Sequence, residues 1–342
     1  MKFNGLVAAA AFVVSAFLAS SAFAEKTPIK VNVDNFARAQ ADHEFAGFAK
    51  RAGGTNKFMI NRSPTPIDDQ NVIRMNRDTL YSLAVVNISR GATVTMPDAG
   101  KRYMSLMIIN NDGYVNDVYY GSGTYELTTE KFDTPFVGVV VRILVNAEDP
   151  ADVAVVNKLQ DQVKIEAVAQ DPFVMPNYDE ASFKATLEPI LALSKGLQRV
   201  TEGFGSKSEV NPVHFLLASA AGWGGLPEKD SIYLNVEPGL PVGKYELTVK
   251  DVPVKGFWSI SLYDSKGYFK ENALHAYSLN NLTAKPNADG SYTIRFGGCT
   301  ATTENCLPIM EGWNYLVRMY RPDQQVIDGK WVFPGPPVPR AD

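Results

Sequence analysis

Cysteine and histidine are scarce in this chain: 342 residues hold two Cys and three His. A multi-ligand Cys/His metal centre is therefore all but excluded, and no metal is expected. Several signatures are missing outright. There is no H-E-x-x-H, no G-x-x-x-x-G-K-[ST] and no dinucleotide G-x-G-x-x-G. Zinc proteases, P-loop NTPases and nicotinamide enzymes drop out, and no cofactor is expected. Gly121-Ser-Gly123 is too short for a G-x-S-x-G elbow, which removes the standard α/β-hydrolase. An excess of positive charge is also lacking. Lys and Arg number 33 against 37 Asp and Glu, a net charge of -4. A nucleic-acid partner needs a basic face and is not expected. Long apolar runs are absent apart from Leu6 to Leu18, which is too short to span a bilayer. What is present is an ordinary globular composition, 45% hydrophobic and 20% charged. The length suggests two domains.

Residues 1–24 read as a secretory signal peptide. Lys2 is their only charge, the apolar run follows, and Ala22-Phe23-Ala24 is a small-x-small site that places cleavage after Ala24. A transmembrane anchor would need a longer run, and no Cys stands near the site to carry a lipid. The mature chain is expected to be soluble and exported, in a periplasm or secreted. Cys299 and Cys306 suit that compartment. Seven positions apart around a polar loop, they read as a structural disulfide. A redox-active pair would more often be spaced C-x-x-C.

Residues 35–52 show apolar positions at helical spacing, ended by Gly53-Gly54. Strands follow at Thr79 to Ser89, Gly91 to Pro97, Arg102 to Asn110 and Phe136 to Asn146. Pro150 to Ala169 and Asp179 to Phe204 read as helices. Strands return at Ile232 to Val236, Gly243 to Val249, Phe257 to Tyr263, Tyr292 to Phe296 and Asn314 to Tyr320. A Pro-rich tail closes the chain. The two strand blocks resemble each other. Tyr103 to Tyr114 aligns without gaps on Phe257 to Tyr268 at an offset of 154, pairing Ser105 with Ser259, Gly113 with Gly267 and Tyr114 with Tyr268. The fold expected is mainly β with helical insertions: two tandem antiparallel β-sandwich domains, jelly-roll-like, with an N-terminal helix and a helical segment between them. The expected organisation is a signal peptide over 1–24, then helix and first sandwich over 25–149. A helical connector takes 150–228, and the second sandwich with its Pro-rich tail takes 229–342.

Arg74-Met-Asn-Arg-Asp-Thr-Leu-Tyr-Ser82 resembles the signature of domain of unknown function 1254. Gly256-Phe-Trp-Ser-Ile-Ser-Leu-Tyr-Asp264, Trp313 to Pro322 and Asp328-Gly-Lys-Trp331 resemble its companion, domain of unknown function 1214. Together they span most of the mature chain. The resemblance implies a tandem β-sandwich fold, an exported bacterial protein and a homo-oligomer. It brings no catalytic set. One departure is Cys306, where the pattern has an aromatic residue, so the disulfide is a local feature of this chain.

The first candidate constellation is Asn76, Arg77, Asp78 and Tyr81 at a strand entrance, where Arg77 beside Asp78 offers a fork of donors to a carboxylate or hydroxyl. On mechanism alone the same residues read first as a structural clamp. The loop Asn110 to Tyr120 holds oxygen donors without the spacing of an EF-hand, and reads first as a turn. Its Tyr114, Tyr119 and Tyr120, with Tyr268, Tyr277 and Trp223, are candidates to line a ligand groove, or else core residues. Of the histidines, His275 is the best catalytic candidate, with Glu271 before it and Tyr277 after it. Three functions compete: binding of a small organic ligand or glycan in an aromatic and polar groove, a periplasmic hydrolase or lyase using Asp78, Arg77 and His275, and a structural homo-oligomer. Binding ranks first because no catalytic constellation is strong. Whether the chain is an enzyme stays open.

Overall fold

The computed structural model describes residues 27–70, 73–195, 197, 199 and 201–340. The signal-peptide segment 1–24 lies outside them. Helix α1 (Phe36–Ala52) and strand β1 (Phe58–Ile60) open the chain. The first sandwich follows as β2 (Thr79–Asn87), β3 (Ala92–Met96), β4 (Met104–Asn110), β5 (Val115–Tyr120), β6 (Gly123–Leu127), α2 (Thr129–Phe132), β7 (Phe136–Leu144), α3 (Pro150–Gln160) and β8 (Lys164–Ala167). Helices α4 (Glu180–Ser194) and α5 (Pro212–Ala221) come next. The second sandwich comprises β9 (Ser231–Val236), β10 (Tyr245–Val249), β11 (Trp258–Tyr263), β12 (Ser278–Asn280), β13 (Tyr292–Phe296), β14 (Cys306–Leu307), β15 (Asn314–Tyr320), α6 (Gln324–Ile327) and β16 (Val338–Pro339).

The duplication is written in the sheet topology. One sheet of the first sandwich runs β1-β2-β7-β4-β5, and its counterpart runs β9-β15-β11-β12. Without β1, the two orders coincide. The facing sheets are β6-β3-β8 and β13-β10-β16, the latter extended by β14. Each sandwich has its own core. Leu80, Val94, Leu106, Leu127, Val139 and Val141 meet in the first. Leu247, Trp258, Ile260, Ile294, Phe296 and Val317 meet in the second. The chain is thus two tandem antiparallel sandwiches with an N-terminal helix and helices between.

Local chemistry explains the boundaries. Gly53, at φ 73°, returns its N–H to Ala49 and Lys50 and closes α1. Asp149 caps α3 and Asn211 caps α5, each ahead of a Pro at the first helical position. Three expectations are corrected. The helix expected over 150–169 stops at Gln160, and Lys164–Ala167 pairs with β3 instead. There the residues alternate between exposed and half-buried, a period of two. The helix expected over 179–204 stops at Ser194. The polar loop 110–120 is a turn only to Tyr114, and Val115–Tyr120 is a half-buried edge strand paired with β4, which its Asn and Asp had disguised. Cys299 and Cys306 form the expected disulfide.

The outer faces of the two main sheets are covered too. Phe45 and Phe48 of α1 pack on Val85 of β2. Buried Asp42 of α1 accepts from Asn111 at 2.6 Å and Tyr178 at 2.7 Å, tying the helix to the β4–β5 turn. The rest of that face meets the second sandwich through Tyr103, Phe257 and Tyr320. Strands buried on both faces read as continuous apolar runs, as β4 and β7 do.

Candidate functional site

Two arginines stand inside those apolar runs, on the outer faces of the main sheets. Arg142 of β7 lies between Tyr81 of β2 and Ser105 of β4 in register. Arg318 of β15 lies between Tyr233 of β9 and Ser259 of β11 in register. The duplication therefore carries the same Tyr–Arg–Ser row twice, once in each sandwich. Arg142 is 5% and Arg318 3% exposed. A buried guanidinium is costly unless its donors are met.

The two rows differ in how that need is met. Arg318 donates to Ser261 Oγ at 2.8 Å, the Arg74 carbonyl at 2.8 Å, the Met75 carbonyl at 3.2 Å and Tyr263 Oη at 3.0 Å. Arg142 donates to the Gly224 carbonyl at 2.7 Å and, among the described residues, otherwise reaches only the Met107 sulfur, at 3.7 Å. Its guanidinium stands 5.4 Å from the centre of the Tyr81 ring. Burial alone would lower the pKa of Arg142, yet facing Tyr81, Tyr233, Tyr103 and Tyr320 hold it above the ordinary arginine value. Tyr81 responds in kind. Burial resists its ionisation, but Arg142, with Thr79, Asn76 and Arg318, brings its phenol below the usual tyrosine value. Around this row, Ser105 Oγ, Tyr103 Oη and Trp223 Nε1 are buried without a well-formed hydrogen bond, as is Ser259 Oγ of the second row.

The sequence-read cluster frames this site. Asn76 Nδ2 lies 3.1 Å from Thr79 Oγ1, 3.1 Å from Tyr81 Oη and 3.0 Å from Tyr320 Oη, so it joins the two sandwiches. Asp78 turns to the second sandwich, where Oδ1 accepts from Asn280 at 3.1 Å and Ser278 at 3.2 Å, and Oδ2 is buried without a partner. Arg77 donates to the Thr65 carbonyl and to Glu148 at 3.0 Å, and stacks 5.0 Å from the Tyr277 ring centre. The strap formed by residues 65–70 and 73–78 thus touches both sandwiches.

The aromatic candidates do not share one groove. Tyr120 donates to Asp230 at 2.9 Å under the Arg321 guanidinium, and with half-buried Trp223 it belongs to the cluster between the sandwiches. Tyr114 stacks on Phe215 of α5, with centroids 4.5 Å apart. Tyr119 stacks on Tyr125 at the rim of the first sandwich. Tyr268 lies in the turn closed by Asp264. Tyr277 is buried beside Phe269 and Tyr263. It also lines a surface cleft of about 560 Å³ with Asp68, Asp264, Lys270, Glu271 and exposed His275. Among the described residues, no group of three or more His, Cys, Asp or Glu is placed to hold a metal ion. The residues that sequence reasoning missed are Arg142, Arg318 and Tyr233. The available signal was an Arg inside FVGVVVRIL and another inside NYLVRMY.

Residues 55–132 match the family model described as Protein of unknown function (DUF1254), and residues 239–324 match Protein of unknown function (DUF1214). The chain carries these two domains in tandem. Asn76, Arg77, Asp78, Tyr81 and Ser105 fall in the DUF1254 match, and Ser259, His275 and Arg318 in the DUF1214 match. Arg142, Trp223 and Tyr233 lie outside both matches. No curated protein matches the chain. A crystal structure of the VPA0106 protein from Vibrio parahaemolyticus superposes with a TM-score of 0.67 at 18% identity, covering 89% of this chain and 98% of that one. An uncharacterised protein from Burkholderia cenocepacia aligns at 16% identity with a TM-score of 0.49, over 85% of this chain and 84% of its own. The first likeness supports the tandem-sandwich fold.

Proposed function

We propose that this tandem DUF1254–DUF1214 protein is an exported binding protein whose small organic ligand sits between the two sandwiches, against the Tyr81–Arg142–Ser105 row. The observation that carries the reading is the set of buried polar groups without good partners around an underused guanidinium, walled by aromatic rings. Native structures leave few such groups, and each asks for a reason. A mostly apolar wall with a few convergent polar groups is the usual makeup of a small-molecule site. Export rests on residues 1–24 and is compatible with the Cys299–Cys306 disulfide. No described helix is long and apolar enough to cross a membrane.

The test is a thermal-shift screen of residues 25–342 against sugars, aromatic acids, esters and divalent metals, with native mass spectrometry for a retained ligand. A ligand at a hundredfold its dissociation constant adds about 2.7 kcal/mol to stability. A shift without turnover supports binding. A flat screen together with a large, ligand-free oligomer would replace the reading with a structural assembly.

A second reading has its own observation. His275 adopts φ 52° at the mouth of the 560 Å³ cleft, the left-handed region that non-glycine residues rarely enter. With Arg77 stacked behind Tyr277 and Asp78 on the same strap, this face would serve a hydrolase or lyase. Turnover abolished by His275→Ala at unchanged stability would favour it over binding.

A further inference from the structure

Resting on the binding reading, we infer that the group recognised between the sandwiches is a carboxylate, anchored by Arg142. The second repeat shows what an arginine at this position takes. Arg318, its equivalent, has four oxygen acceptors within 3.2 Å. Two of them are carbonyls of Arg74 and Met75, brought by the strap from the first sandwich. No segment among the described residues delivers such a pair of carbonyls to Arg142, which has one carbonyl and a thioether. Among the described residues no carboxylate pairs with it, and the titratable side chains that bear on it most are the phenols of Tyr81, Tyr233, Tyr103 and Tyr320. A thioether is a poor acceptor, and a guanidinium fork matches the two oxygens of a carboxylate.

The neighbours complete the match. Ser105 Oγ, directly across from Arg142, is 0% exposed, and among the described residues it and Tyr103 Oη have only each other and Tyr120 as poorly aligned partners. Both hydroxyls can donate to an anion held at Arg142. Tyr81 Oη accepts from Asn76, which leaves its own proton to give. Beyond the polar row the wall is apolar: Leu83, Met107, Val118, Tyr120 and Trp223. The ligand class is therefore an acid with an aromatic or aliphatic body, its carboxylate at Arg142.

Matched pairs on the native chain decide this. Benzoate, phenylacetate and hexanoate are titrated calorimetrically beside benzamide, phenylacetamide and hexanamide. The acids are expected to bind at least tenfold more tightly than their amides, and Arg142→Gln to remove that preference. Amides binding as well as acids, or acids binding unchanged to a folded Arg142→Gln, would overturn the carboxylate assignment. In the first case the binding reading would survive. If Arg142→Gln does not fold, Ser105→Ala replaces it, and a several-fold loss for acids with none for amides is expected. Failure of both acids and amides while a sugar binds sinks the carboxylate alone. Failure of every compound class sinks both readings.

Discussion

Tyr81 sits where the charge of Arg142 and the donor of Asn76 converge, and its environment separates it from the other buried phenols. Tyr103 and Tyr320 are pushed well above the usual tyrosine range, chiefly by burial. Tyr81 moves down despite burial, because Arg142 favours the phenolate. The sign follows from linkage. The fold favours the ionised form, so this group's contribution to stability is full above the ordinary tyrosine pKa of about 10 and is lost as pH falls through the folded value. Alkaline titration followed by tyrosinate absorbance should show a first step below that of ordinary tyrosines, absent in Tyr81→Phe. Superimposable curves for the two proteins would contradict the arrangement. The site's outline was partly legible at this scale. Asn76, Arg77, Asp78 and Tyr81 stood out as polar residues before a strand, and they do frame the junction. Arg142 did not stand out, because sequence shows neither which face of a strand is outward nor that the outward face is itself buried.

At the scale of elements, strands with strict composition were easy to read and wet ones were not. Val- and Ile-rich β2, β4 and β7 were plain, while half-buried β5 carries Asn and Asp and β8 carries Lys and Glu on its open face, and they passed for a turn and a helix. The repeat was visible as a twelve-residue match, but its full extent lies in strand order, which pairing reveals and sequence does not. Helix α1 shows how closely one element constrains another. Gly138 of β7 lies under Phe45, and a Cβ there would stand 2.8 Å from Phe45 Cε1. Its backbone is not in the left-handed region, so the need for glycine is one of space alone. Gly138→Ala should destabilise the protein by about 1–3 kcal/mol, as overpacking does. Adding Phe45→Leu should recover part of the loss in denaturant unfolding. Equal stability of Gly138→Ala and the native chain would mean that α1 shifts without cost.

Over the whole molecule, two separate cores are joined by a third cluster that belongs to neither. Phe257 is its centre: it stacks on Tyr320 at 4.1 Å between centroids and meets Tyr103 edge-on at 5.1 Å. Other links are the strap residues 65–70 and 73–78 and the hydrogen bonds of Asp78 and Asn76. Truncating a buried Phe costs about 3–5 kcal/mol. Because Phe257 lies outside both sandwich cores, Phe257→Ala should fall mainly on the junction. The single unfolding transition expected of the native chain in scanning calorimetry should then split into two, one for each sandwich. The ligand site, built from both partners, should weaken in the same variant while the secondary structure seen by circular dichroism persists. A single transition displaced as a whole would show instead that the second sandwich cannot hold its fold without this ring. The junction would then be part of its core, with the site tied to global stability rather than to the placement of one sandwich against the other.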